Sequence, residues 1–206
     1  VARLSEIDPS NYQKLEATDR CWNLGEYTSG GGWQASETNQ QIYNLKWSPA
    51  WRERAIAYWV RQLIEALALP NVAELATLVP APCSKAPGDP SYDDRMLRIV
   101  QGIQLAHPGI DVRQAIVTRV TRGSQHEHGR LSVAQLRDSM ELVPAQVQLP
   151  FKPHAIVVDD VFTQGGTFKA MQALLAGAPG VTSVNGIFLA KTVWPPADPA
   201  DFAENF

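Results

Sequence analysis

The sequence predicts an α/β protein, a mostly parallel sheet flanked by helices, with a small N-terminal hood. Short apolar runs at Ala76–Val79, Ala155–Val158 and Val184–Ala190 have the length and unbroken character of strands covered on both faces. Helical periods lie between them, through Ile56, Trp59, Leu63 and Leu67, through Met96, Val100 and Ile103, and through Phe168, Met171 and Leu175. Alternating strands and helices call for right-handed crossovers, and such sheets bind ligands beyond the C-terminal ends of their strands.

A chain of 206 residues can enclose one sizeable core. We divide it into a hairpin or hood segment, 1–50, and an α/β domain, 51–206. A hydrophobic content of 45% with 19% charged residues describes an ordinary soluble protein. The net charge of −3 gives no global reason to expect a nucleic-acid partner. Cys21 and Cys83 are too far apart for a spaced metal motif and make no disulfide framework, which fits a reducing cytoplasm. No apolar run approaches the roughly 20 residues that cross a bilayer. The first residues, VARLSEIDPSNYQKLE, lack the apolar core of a signal peptide.

Residues 1 to 20 read as polar and irregular. Trp22, Leu24 and Tyr27 before Gly30-Gly31-Gly32, with Trp33 after, suggest a short hairpin around a flexible turn. Ile42, Tyr43, Leu45 and Lys46 suit a strand or a short helix. Ser48-Pro49 opens a helix that runs towards Pro70. After the strand at Ala76–Val79 comes a proline-bearing loop, Pro80 to Lys85. A helix within Tyr92–Ala106 and a strand-like Ala115-Ile116-Val117 follow. Arg119 to Arg130 (RVTRGSQHEHGR) reads as a polar, basic lid, and its His126-Glu127-His128 is too sparse for a metal site. Leu131-Ser132 opens a short helix through Met140, Leu142–Pro153 is a connector, and the tail from Trp194 is coil.

The chemistry concentrates in His154–Leu175, HAIVVDDVFTQGGTFKAMQALL. The apolar run leads to Asp159 and Asp160 at the expected C-terminal end of a strand. The turn Thr163-Gln164-Gly165-Gly166-Thr167 then enters the last helix. Strand, small-residue turn and helix N-terminus make an anion cradle from main-chain N–H groups, hydroxyls and the helix dipole. It is neither a Walker A loop nor a dinucleotide fingerprint.

VVDDVFTQGGT resembles the phosphoribosyl pyrophosphate (PRPP) signature of type I phosphoribosyltransferases, with Gln164 where the family usually has Thr, Ser or Ala. Other pieces resemble the competence protein F group of that family. These are Leu24-Gly25-Glu26-Tyr27 with Asn44-Leu45-Lys46, and Val79-Pro80-Ala81-Pro82 with Ser84-Lys85. Arg119, Thr121, Gln125, Leu131-Ser132 and Arg137 continue the likeness. Many members begin with a four-cysteine zinc module, where this sequence has only Cys21, and GDPSYDDRM stands as an insertion after the proline loop.

The resemblance implies the type I phosphoribosyltransferase fold and Mg2+-dependent transfer of the phosphoribosyl group to a nucleobase or amine, with release of pyrophosphate. It implies that Thr163, Gln164, Gly165, Gly166 and Thr167 bind the 5′-phosphate. Pro82, Cys83, Ser84 and Lys85 would bind pyrophosphate, with Arg119 and Arg122 stabilising developing charge. Asp159 and Asp160 would take the ribose hydroxyls and assist Mg2+, which is held mainly through the ligand. Both aspartates can serve the ribose only if the strand has ended by Asp159, because successive strand residues face opposite ways. Trp33, Tyr43 or Trp194 could stack on the acceptor. The resemblance also implies a homodimer. The other reading is a non-catalytic PRPP- or nucleotide-binding protein, regulatory or accessory to DNA uptake. An aspartate-nucleophile phosphatase ranks last, because it needs an acid where Val161 stands.

Overall fold

The computed structural model describes residues 2–122 and 131–195. In chain order its strands are β1 (Ser5–Glu6), β2 (Cys21–Thr28), β3 (Ala76–Pro80), β4 (Asp111–Val112), β5 (Ile116–Thr118), β6 (Met140–Leu142), β7 (His154–Phe162) and β8 (Ser183–Val193). The helices are α1 (Glu37–Trp47), α2 (Pro49–Ala66), α3 (Leu69–Leu75), α4 (Arg95–Ala106), α5 (Val133–Asp138), α6 (Pro144–Val147) and α7 (Gly166–Leu175). Six strands form one sheet in the order β1-β2-β8-β7-β3-β4. Every pairing in it is parallel except that of β1 with β2. No described helix is long and apolar enough to cross a membrane.

Helices cover both faces, which is why the central strands read as unbroken apolar runs. On one face α7 and α5 bury Phe168, Met171, Leu175 and Leu136 against Val157, Phe162 and Phe188. On the other, α1, α2 and α4 bury Leu45, Trp59, Leu63, Ile99 and Ile103 against Leu78, Val158 and Leu189. Each such side chain contributes roughly 1.5–3 kcal/mol relative to exposure.

Three local expectations are corrected. Trp22, Leu24 and Tyr27 belong to β2, a strand of the main sheet and not of a hairpin. The glycine turn leads into α1, settling Ile42–Lys46 as helix. Buried Asn39 directs the chain that way: it accepts the Thr28 N–H at 2.9 Å and donates to the Thr28 and Gly32 carbonyls, each at 3.0 Å. Ser36 caps α1 by accepting the Asn39 N–H at 3.0 Å. Secondly, Ile116–Thr118 leaves the main sheet and pairs antiparallel with β6, so the helix after Ser132 ends at Asp138 and Met140 begins a strand. Thirdly, β7 does not stop before its aspartates. Long apolar β8 continues to offer partners, pairing Asp159 with Phe188, Val161 with Ala190 and Phe162 with Lys191.

Within residues 1–20, β1, a 3-10 turn at Pro9–Asn11 and buried Ile7 give more order than the polar text suggests.

Candidate functional site

β3 continues through α4 to β4, whereas β7 continues through α7 to β8 on its other side. The two helices lie on opposite faces of the sheet, because α4 buries Met96 and Ile99 in one core and α7 buries Phe168 and Met171 in the other. Chain leaving the adjacent β3 and β7 therefore diverges, just after the Ala81 N–H donates to the Val158 carbonyl at 2.9 Å. Such a switch point opens a crevice at the C-terminal edge of a parallel sheet, the usual place for a ligand.

One wall is the turn after β7. Thr163 is exposed and Gln164 half-buried, and Gly165 adopts φ +78°, a left-handed conformation that favours glycine. A Cβ on Gly165 would lie 2.8 Å from Leu15, and one on Gly166 would lie 3.1 Å from the Lys14 ammonium. Among the described residues, the main-chain N–H groups of Thr163, Gln164, Gly165, Gly166 and Thr167 reach no main-chain acceptor. They sit at the positive end of α7.

After β3 the chain runs into the half-buried loop Pro82-Cys83-Ser84-Lys85. It is bonded to the chain after β5 as one unit. The Thr118 hydroxyl donates to the Cys83 carbonyl at 2.6 Å, and the Arg122 N–H to the Ser84 carbonyl at 2.9 Å. The Ala86 N–H donates to the Thr121 hydroxyl at 3.0 Å. Cys83 Sγ also takes the Asp93 N–H at 3.4 Å, tying the loop to the approach of α4. Burial lowers the proton affinity of the Arg122 guanidinium, while Cys83 and Asp159 act the other way. Its buried Nε finds no acceptor among the described residues. Lys85 stands near Asp89, whose carboxyl is held low by the Ser91 N–H, then the Thr121 hydroxyl, with help from the lysine. Arg119 lies apart from this loop: it is exposed, and its Nη2 donates to the Asp138 carbonyl at 2.8 Å, at the end of α5. Residues 123–130 of the expected lid, with Gln125, His126, Glu127, His128 and Arg130, lie outside the described residues.

The two aspartates part company. Because β7 continues past them, Asp160 faces α1 and α4, opposite to Asp159. Asp160 is buried and saturated by cations. Lys46 Nζ lies 3.2 Å from Oδ1 and 3.2 Å from Oδ2, and Arg95 reaches Oδ2 through Nε at 3.1 Å and Nη2 at 2.6 Å. Arg95 Nη1 also holds Asp93 at 2.5 Å, and Arg52 lies 3.7 Å from the same carboxylate. Burial alone would raise the Asp160 carboxyl, but Lys46 and Arg95 hold it well below the usual carboxylate range. Asp159 is half-buried with no cation bonded to it, and burial, then the charge of Asp160, pushes its carboxyl well up.

For Mg2+ this donor set is selective. Asp160 has no oxygen to spare, while Asp159 uses Oδ1 to accept the Asp160 N–H at 2.8 Å and keeps Oδ2. No cluster of three metal-binding side chains occurs among the described residues. One carboxylate plus ligand phosphate oxygens and water is a set that suits Mg2+. Asp159 therefore fits as its protein ligand, and Asp160 does not.

Sequence reasoning missed Lys14, Arg52, Asp93 and Arg95 altogether, and it noted Lys46 without assigning it a role. The signal for Arg95 was DDRM at the start of a helical period, placed in a stretch treated as an insertion. No protein-family model matches the chain, and no curated protein matches it.

Proposed function

We propose that this protein binds PRPP with Mg2+ and transfers the phosphoribosyl group to a nucleobase or amine, releasing pyrophosphate, as a type I phosphoribosyltransferase of the competence protein F group. The architecture is read as that family's fold, with the acceptor hood drawn from residues 1–50, in a cytoplasmic homodimer. The supporting observation is the divergence of the chain after the adjacent β3 and β7. It leads on one side into the Arg122-bonded proline loop, and on the other into Asp159, to which no described cation is bonded, and a glycine turn whose N–H groups reach no described main-chain acceptor.

In this reading the turn Thr163–Thr167 holds the 5′-phosphate through main-chain N–H groups and hydroxyls. Pro82–Lys85 and Arg122 hold the pyrophosphate, and the orphaned Arg122 Nε gains an acceptor. Asp159 accepts from the ribose hydroxyls, and Asp160 serves as the buried anion that fixes α1 and α4 against β7. The acceptor's lone pair forms the bond to C1′ as the C1′–O bond breaks, its electrons leaving with pyrophosphate and the acceptor's proton passing to water. Mg2+, when bound, neutralises pyrophosphate oxygens in that departure.

One observation favours a binding-only variant of this reading. Asp160 is occupied by Lys46 and Arg95, leaving one carboxylate where the family signature provides two. Thermal unfolding with PRPP, with and without Mg2+, tests the site itself. At about a hundred times Kd the ligand should add ~2.7 kcal/mol of stability. No shift at millimolar PRPP overturns the site. Binding with no pyrophosphate release across an acceptor screen turns the enzyme into a PRPP-responsive regulatory or DNA-uptake accessory protein.

A further inference from the structure

The segment before β2 lies across the start of α7 and is fastened to it. Asp19, 3% exposed, accepts from Lys169 Nζ at 3.1 and 2.9 Å and from Gln172 Nε2 at 2.8 Å, both on α7. It also takes the Glu16 N–H at 2.8 Å, closing the segment into a turn. Tyr12 stacks edge-on against Phe162 with ring centroids 4.8 Å apart, and Leu15 fills the space a Cβ on Gly165 would need. Between these fixed points stands Lys14, half-buried, its ammonium 3.1 Å from the Cβ position of Gly166.

This is an unusual place for a cation. The start of a helix is its positive end, and Lys, Arg and His are favoured at the other end. Lys14 makes no ion pair with any described carboxylate, and the turn beside it presents main-chain N–H groups without main-chain acceptors. Like charges thus converge at one point, held there by a buried acid on the far side of the strap. An anion between them relieves the repulsion and takes a charge-assisted bond from the ammonium.

We infer that Lys14, carried by the strap of residues 12–19, is a ligand of the phosphate monoester bound at the Thr163–Thr167 turn, so that the 5′-phosphate is held from two chain segments. The inference rests on the reading of that turn as a 5′-phosphate site. It gives Leu15 and Gly165 a function as well: their close contact sets the height of the strap above the turn. The lysine acts as a point charge and the turn as a set of directed donors.

Calorimetric titration of ribose 5-phosphate, ribose and pyrophosphate into wild type, Lys14→Gln and Lys14→Arg separates the outcomes. Lys14→Gln should weaken ribose 5-phosphate about tenfold, the loss of one charge-assisted bond. Lys14→Arg should recover most of that, pyrophosphate affinity should stay at its wild-type value, and the unfolding midpoint of ligand-free Lys14→Gln should lie at or above that of wild type. Undiminished binding of ribose 5-phosphate by Lys14→Gln overturns the role of Lys14 and leaves the turn intact as a phosphate site. Equal weakening of ribose 5-phosphate and pyrophosphate overturns it too, since a general field acts on both. If wild type binds ribose 5-phosphate no better than ribose, the turn is not a phosphate site and the inference falls with it.

Discussion

Replacing Asp160 with Asn should destabilise the protein by about 3–5 kcal/mol, the range for removing one partner of a buried ion pair. Two cations meet on this carboxylate, and its side chain is only 10% exposed. Without its charge, Lys46 and Arg95 are left facing each other inside the sheet–helix interface. The pH dependence has a definite sign. The folded carboxyl titrates below its unfolded value, so its stabilising contribution is complete above the unfolded pKa of about 3.9 and is lost as pH falls towards the folded one. The gap between wild type and Asp160→Asn in urea unfolding should therefore be widest near neutrality and narrow below about pH 4. Equal urea midpoints for wild type and Asp160→Asn at neutral pH would show that the clamp contributes nothing.

Asp159→Asn should have the opposite effect on stability and the larger one on binding. The folded carboxyl of Asp159 is raised above its unfolded value by burial and by Asp160, so the native state disfavours its ionised form. That cost is absent below the unfolded pKa of about 3.9 and grows until pH passes the raised folded value. Asn should thus unfold at a higher temperature than wild type near neutrality, with no advantage in acid. PRPP affinity should fall about ten- to a hundredfold, the scale of one or two hydrogen bonds to a charged acceptor. In wild type, PRPP binding should strengthen as pH rises through the titration of Asp159. A variant that loses stability while keeping its affinity for PRPP would reverse the assignment of the two aspartates.

The parts of this molecule legible in its sequence are those governed by local pattern. Unbroken apolar runs marked β3, β7 and β8 because both sheet faces are covered, and the period through Trp59 and Leu63 marked α2. The glycine turn after β7 was legible because a left-handed residue at Gly165 and a helix start at Gly166 leave a fixed local signature. What escaped was set by distant partners. β2 looked like half of a hairpin because its partner β8 is far along the chain, and nothing near the glycine turn discloses the bonding of Asn39. The fates of Asp159 and Asp160 could not be separated by spacing alone. Their difference depends on how far β8 extends and on where Lys46 and Arg95 arrive from. Lys14 carried no signal, because a lone lysine in polar text acquires meaning only from what lies beneath it.

The order of strands also bears on how the chain is made. β2 is made well before its partner β8, yet it pairs Cys21 with Gly186, and β3 pairs with β7, from Ala76 opposite His154 to Pro80 opposite Val158. Among the described strands, the two that knit the sheet are therefore made after all the others. Until β8 appears, β2 has only the two-residue β1 beside it, and its other edge is open. Vectorial synthesis thus leaves a long interval in which apolar strand edges wait for partners, and contacts of such wide sequence separation close slowly. A nascent chain stalled before Ser183 should be a ready client for chaperones and proteases, and the divergence of the chain after β3 and β7 takes shape only once β7 has been made.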